Sequence, residues 1–86
     1  NHRRIIMKTL YIQSFAGLKK YFGPTLEINA EVSSVGDLLK LLGERYPESS
    51  ALLKASRVAL NDIILSNDYN LNNHETIALL PPSSGG

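Results

Sequence analysis

The sequence predicts an α+β domain in which a mixed sheet is covered on one face by a single main helix. Three observations carry this. Residues 25–32 (TLEINAEV) alternate strictly: Leu26, Ile28, Ala30 and Val32 point one way, and Glu27, Asn29 and Glu31 the other. A strand with one wet face is typical of an antiparallel neighbour. Val35, Leu38, Leu39, Leu42 and Tyr46 recur at helical spacing and form one apolar stripe. Short alternating segments, residues 8–15 and 75–80, stand near the two ends of the chain. A chain of 86 residues that is 43% hydrophobic supports one core, and this one amphipathic helix must cover one face of the sheet.

Residues 8–15 (KTLYIQSF) are rich in β-formers, with Leu10 and Ile12 on one face. Residues 16–22 (AGLKKYF) change to helical spacing, placing Leu18 and Phe22 together with Phe15 near the same side. Gly23-Pro24 then stops the helix. After the alternating strand, residues 33–46 read as the main helix, with Ser34 as N-cap and Asp37 three positions on in a variant capping box. Each stripe side chain buried contributes roughly 1.5–3 kcal/mol, and conformational entropy offsets most of that gain. Pro47 closes the helix, and residues 48–56 connect onward with a helical turn around Leu52 and Leu53.

Residues 57–61 (RVALN) alternate again, with Val58 and Leu60 inward. Asn61-Asp62 is a turn signal, and residues 63–66 (IILS) return as a short strand. Leu71 is a lone apolar anchor before Asn72-Asn73-His74, a turn in which Asn73 tolerates the left-handed conformation. Residues 75–80 form the last strand, with Ile77 and Leu79 inward and Ala78 and Leu80 outward. Strand, short helix, strand, long helix, two short strands and final strand satisfy the constraints of a β-grasp, ubiquitin-like roll spanning residues 7–80. Residues 1–6, ahead of Met7, read as a vector remnant or disordered leader.

The last strand runs into an arm, residues 81–86 (PPSSGG). Pro81 and Pro82 lack an N–H and fix φ, which ends sheet pairing and launches the chain in an extended direction. Fully extended, six residues reach about 20 Å. No residue after Pro82 is large, and Gly85 and Gly86 have no side chain. Such an arm narrows toward its tip and suits delivery of a terminal carboxylate into another protein's active site.

Charge and composition exclude much else. Nine basic residues face eight acidic ones, a net +1. Without Arg3 and Arg4 of the leader, seven face eight, or −1. Neither balance gives the basic face expected of a nucleic-acid partner. There is no cysteine, hence no disulfide framework and no thiolate ligand or nucleophile. No apolar run is long enough to cross a membrane, and a cytoplasmic setting is expected. His2 and His74 lack metal spacing, no Ser/His/Asp grouping or Gly-rich phosphate loop occurs, and no bound cofactor or metal is expected. By this reading the chain does not catalyse alone.

The helix VGDLLKLLGERYP, the stretch LNDIILSNDYNL and the strand-to-arm segment ETIALLPPSSGG together resemble the MoaD/ThiS family of ubiquitin-like sulfur carriers. The likeness is to its MoaD-like members, the small subunits of molybdopterin synthase, and covers residues 7–86. It implies that an adenylyltransferase of the ubiquitin-activating type uses ATP to join AMP to the carboxylate of Gly86, and that a sulfur donor converts the adenylate into a thiocarboxylate. The arm, Pro81, Pro82, Ser83, Ser84 and Gly85, would then enter the large subunit of molybdopterin synthase. Sulfur would pass there to cyclic pyranopterin monophosphate, giving molybdopterin. Leu80 and Ile64 match the family's partner-binding surface, and Lys19 falls where a basic contact residue is frequent. Asn72-Asn73-His74 departs from the usual acidic-glycine-acidic turn, and Ser83 from a branched apolar residue. Carriers for thiazole or cysteine synthesis, and ubiquitin-like modifiers or adaptors, share the architecture.

Overall fold

The computed structural model describes residues 7–82. The leader expected over residues 1–6, and Ser83, Ser84, Gly85 and Gly86 of the arm, lie outside the described residues. The chain forms β1 (Lys8–Ser14), a 3₁₀ turn (Ala16–Leu18), α1 (Lys19–Phe22), β2 (Thr25–Ala30) and α2 (Val35–Arg45). A second 3₁₀ turn (Pro47–Ser49), α3 (Ser50–Lys54), β3 (Arg57–Leu60), β4 (Ile63–Ile64) and β5 (Thr76–Leu80) follow.

The five strands lie in the order β2-β1-β5-β3-β4. β1 pairs antiparallel with β2, setting Leu10 opposite Ile28, and parallel with β5, setting Ile12 opposite Ile77. β5 pairs antiparallel with β3, and β3 with β4. This is the mixed β-grasp sheet expected. Alternation puts Leu10, Ile12, Ile28, Val58, Ile77 and Leu79 on the face that α2 covers with Val35, Leu38 and Leu42, and all are buried. Phe22 closes one end of the core with its ring edge-on to Tyr46, centroids 4.9 Å apart. Gly23, at φ 73°, reverses the chain after Phe22 where a Cβ would be strained.

The N-terminus of α2 is capped completely. Ser34 Oγ accepts the Asp37 N–H at 3.1 Å, and Asp37 Oδ2 accepts the N–H groups of Ser34 and Ser33 at 3.2 and 3.1 Å. The Val35 and Gly36 N–H groups donate to the carbonyls of Tyr69 and Asn67, at 3.0 and 2.8 Å. The donors a helix start leaves free are thus all used, partly by a strap (residues 66–71) remote in sequence. Pro47 ends α2 as expected, but it also opens the next 3₁₀ turn, because its fixed φ and missing N–H suit a first helical position.

Three expectations need correction. Phe15 does not join Leu18 and Phe22: it is 42% exposed. Its backbone is extended, at φ −131° and ψ 153°, so it keeps the alternation of β1 and turns to the opposite face. Ala16, at φ 50°, makes the switch to helical spacing one residue later. In the turn before β5 the left-handed residue is His74, at φ 64°, rather than Asn73. Asn73 is occupied otherwise, its Oδ1 accepting the Thr9 N–H at 2.8 Å, while the His74 N–H donates to the Thr9 carbonyl. The returning strand is two residues long rather than four. Beyond Leu65 the chain leaves the sheet edge to supply the carbonyls that cap α2.

Candidate functional site

The sheet face away from α2 surrounds the root of the arm. Leu80 is the last paired residue of β5, opposite Arg57 of β3. Pro81 and Pro82 follow at once, and both are half-buried. Pairing stops where the N–H donors stop, as the prolines require. A half-open recess of about 550 Å³ lies beside this root, lined by Gln13, Phe15, Ala59, Ile64, Ala78 and Leu80 among others.

Its position follows from strand register. Ala59 lies opposite Ala78 on one side and Ile64 on the other, so small side chains form the floor. Ile64 is 53% exposed and stands over that floor from the edge strand. Phe15 closes the other side, at the end of β1. The two-residue turn Asn61-Asp62, with φ 51° and 68°, has the left-handed pair of a type I′ hairpin and holds β4 against β3. The face therefore offers a shallow surface of mixed polarity, with Phe15 and Ile64 exposed beside Gln13, Asn61, Asp62 and Thr76 and rigid backbone beneath. Shallow and open, it suits contact with another protein better than enclosure of a small molecule.

Of the residues singled out from the sequence, Leu80, Ile64, Pro81 and Pro82 come together here. Lys19 does not line the recess; it is exposed at the first position of α1. Phe15 was missed, because helical spacing with Leu18 and Phe22 competed with strand alternation from Leu10 and Ile12. Carrying period 2 one residue further would have found it.

Among the described residues two acidities are displaced, those of Asp37 and Tyr69. Asp37 is held below the usual aspartate range, chiefly by the Ser33 N–H and then the Ser34 N–H. Tyr69 is raised, first by desolvation and then by the charge of Glu75, whose Oε2 accepts its hydroxyl at 3.3 Å. Neither group lines the recess. Among the described residues no three His, Asp or Glu side chains converge as a metal ion would require, and no helix is long and apolar enough to cross a membrane. The arrangement is an exposed face at the root of an arm.

The ThiS family matches residues 12–86. The molybdopterin synthase sulfur carrier subunit of Dictyostelium discoideum is 31% identical over 77 residues, covering 84% of this chain and 90% of the relative. Among solved structures, the small archaeal modifier protein 1 of Methanosarcina acetivorans superposes with a TM-score of 0.76. It is 22% identical, and the match covers 94% of this chain and 99% of that one. The ubiquitin of Caldiarchaeum subterraneum superposes at 0.63 with 15% identity, over 93% of this chain and 99% of that one. The two superpositions establish a shared ubiquitin-like fold.

Proposed function

The chain belongs to the ThiS family, and from that premise we propose that it is the sulfur carrier of a molybdopterin synthase, bearing sulfur as a thiocarboxylate on Gly86. The observation that carries the reading is the shallow face at the root of the arm, on which Phe15 and Ile64 stand exposed beside Leu80. A carrier must be held firmly by each partner while its tip enters that partner's site, and such a face supplies the grip. The Dictyostelium relative, matched over 90% of its length, supports the choice of molybdenum cofactor synthesis within the family.

The proposed chemistry begins with the carboxylate of Gly86. That group is a poor acyl donor at neutral pH because its carbon is shielded by resonance and negative charge. An adenylyltransferase of the ubiquitin-activating type forms a bond from the carboxylate oxygen to the α-phosphorus of ATP and releases pyrophosphate. A persulfide sulfur on the donor then attacks the acyl carbon, and AMP leaves. A thiol cleaves the resulting S–S bond and frees the thiocarboxylate. Its sulfur is the softer nucleophilic end, and the large synthase subunit directs it onto cyclic pyranopterin monophosphate. The body contributes no acid or base to these steps; it binds and aims. Because activation consumes ATP, the reading carries a cytoplasmic setting with it.

Intact-mass analysis tests this. The chain, incubated with ATP, the adenylyltransferase and a sulfur donor, should gain the mass of one oxygen exchanged for sulfur, mapped by fragmentation to Gly86. No gain with partners that load a known carrier in parallel refutes the proposal. Isopeptide conjugates to other proteins, without transferable sulfur, would establish the modifier reading in its place.

A further inference from the structure

A second surface borders the root of the arm and differs from the first in carrying three cations. Arg57 begins β3 and lies across from Leu80, the residue from which Pro81 departs. Arg57 is also among the residues that line a separate half-open cleft of about 510 Å³ between α2, α3 and the start of β3. Lys40 of α2 and Lys54 of α3 line the same cleft, as do Leu39, Leu53 and Glu44. All three cations are exposed.

We infer that this cleft docks an acidic segment of the protein that receives the arm, an inference resting on the carrier reading above. Two features select a polypeptide over a small anion. Glu44 stands in the cleft beside the cations, so a compact dianion such as phosphate would face a carboxylate at close range. A polypeptide spreads its charges. It sets carboxylates against Lys54 and Arg57, where the guanidinium fork accepts one in bidentate fashion, and places apolar atoms on Leu39 and Leu53. Location supplies the rest. The cleft and the first face meet along β3 at the residue opposite Leu80, so a partner that encloses the arm root reaches both. Charged flanks of such an interface govern the rate of encounter and its salt dependence more than the final affinity.

The test uses the full-length chain and a purified molybdopterin synthase large subunit, with association followed by stopped flow at low and high salt. The paired substitutions Lys54→Glu and Arg57→Glu should slow association about tenfold at low salt, with the difference vanishing at high salt. Neutral Lys54→Gln and Arg57→Gln should give an intermediate rate. Far-UV circular dichroism should be unchanged, since both positions are exposed. Identical rates and salt slopes, with the unaltered chain binding normally, overturn the inference and leave the carrier reading standing. Failure of the unaltered chain to bind overturns both. Tight binding of inorganic phosphate at Lys54 and Arg57, with normal docking of the charge-reversed chain, overturns it in favour of a small-anion site.

Discussion

Two glycines in α2 offer a test of the packing argument, because one substitution should act oppositely at positions seven residues apart. A Cβ built on Gly43 meets only Leu53 Cδ2 at 3.8 Å, an ordinary van der Waals contact. Gly43→Ala therefore gains the helix propensity difference, about 0.8–1 kcal/mol, with little steric cost. For a domain of this size that raises Tm by about 4–8 °C. A Cβ on Gly36 lies 3.3 Å from the Asn67 carbonyl oxygen, closer than side chains normally approach. The same oxygen accepts the Gly36 N–H at 2.8 Å, and the strap is pinned on both flanks by the Leu65 N–H to the Val58 carbonyl and the Val35 N–H to the Tyr69 carbonyl. Relief must stretch a hydrogen bond worth about 0.5–1.5 kcal/mol, near a helix start where the propensity gain is reduced. Gly36→Ala should therefore lose about 0.5 kcal/mol, leaving the variants about 1.5 kcal/mol apart. Urea unfolding followed at 222 nm decides it, provided the m-values agree. Equal stabilisation by both alanines would refute the claim that the strap is held rigidly against α2.

Four further outcomes follow from the same geometry. Ser34→Ala removes the acceptor for the Asp37 N–H and should cost about 1 kcal/mol in urea unfolding. Because the Asp37 pKa is lowered in the folded state, its contribution is full above the ordinary aspartate value and is lost as pH falls through the lowered one. Asp37→Asn should accordingly flatten the acid limb of a stability–pH profile, and an unchanged limb would contradict the capping account. His74→Gly should stabilise by about 1 kcal/mol by relieving the left-handed backbone, whereas Asn73→Gly should destabilise by removing the acceptor of the Thr9 N–H; thermal melts that reverse this order would undo the assignment. Ser14 Oγ is buried without a partner among the described residues, so Ser14→Ala should leave stability equal or higher, and a loss above about 1 kcal/mol would reveal a hidden partner.

The fold was legible wherever one periodicity acted alone. Strict alternation from Leu26 to Val32 and the stripe from Val35 to Tyr46 each fixed an element and its buried face. The capping box was readable because its donors and acceptors lie within four residues. What escaped was decided at a distance or at a junction. Phe15 stands where strand and helix periods overlap, and only the kink at Ala16 says which one it obeys. His74 takes the left-handed conformation because Asn73 is engaged by Thr9, 64 positions away in the chain. The brevity of β4 follows from the claim of α2 on the strap. The candidate site divides likewise. Leu80 and Ile64 were found through family resemblance, whereas the cationic cleft needed α2, α3 and β3 assembled.

The position of β5 bears on how the molecule comes into being on the ribosome. It is the last of the five strands to be synthesised, yet it sits in the middle of the sheet, joining β1 to β3. Until Leu80 has cleared the exit tunnel, the nascent chain holds two disconnected hairpins and an uncovered helix stripe. The cooperative step waits on a pairing of high sequence separation. A stall or truncation just short of this strand would therefore forfeit the whole body, and a finished arm root is also a report that the sheet behind it is complete.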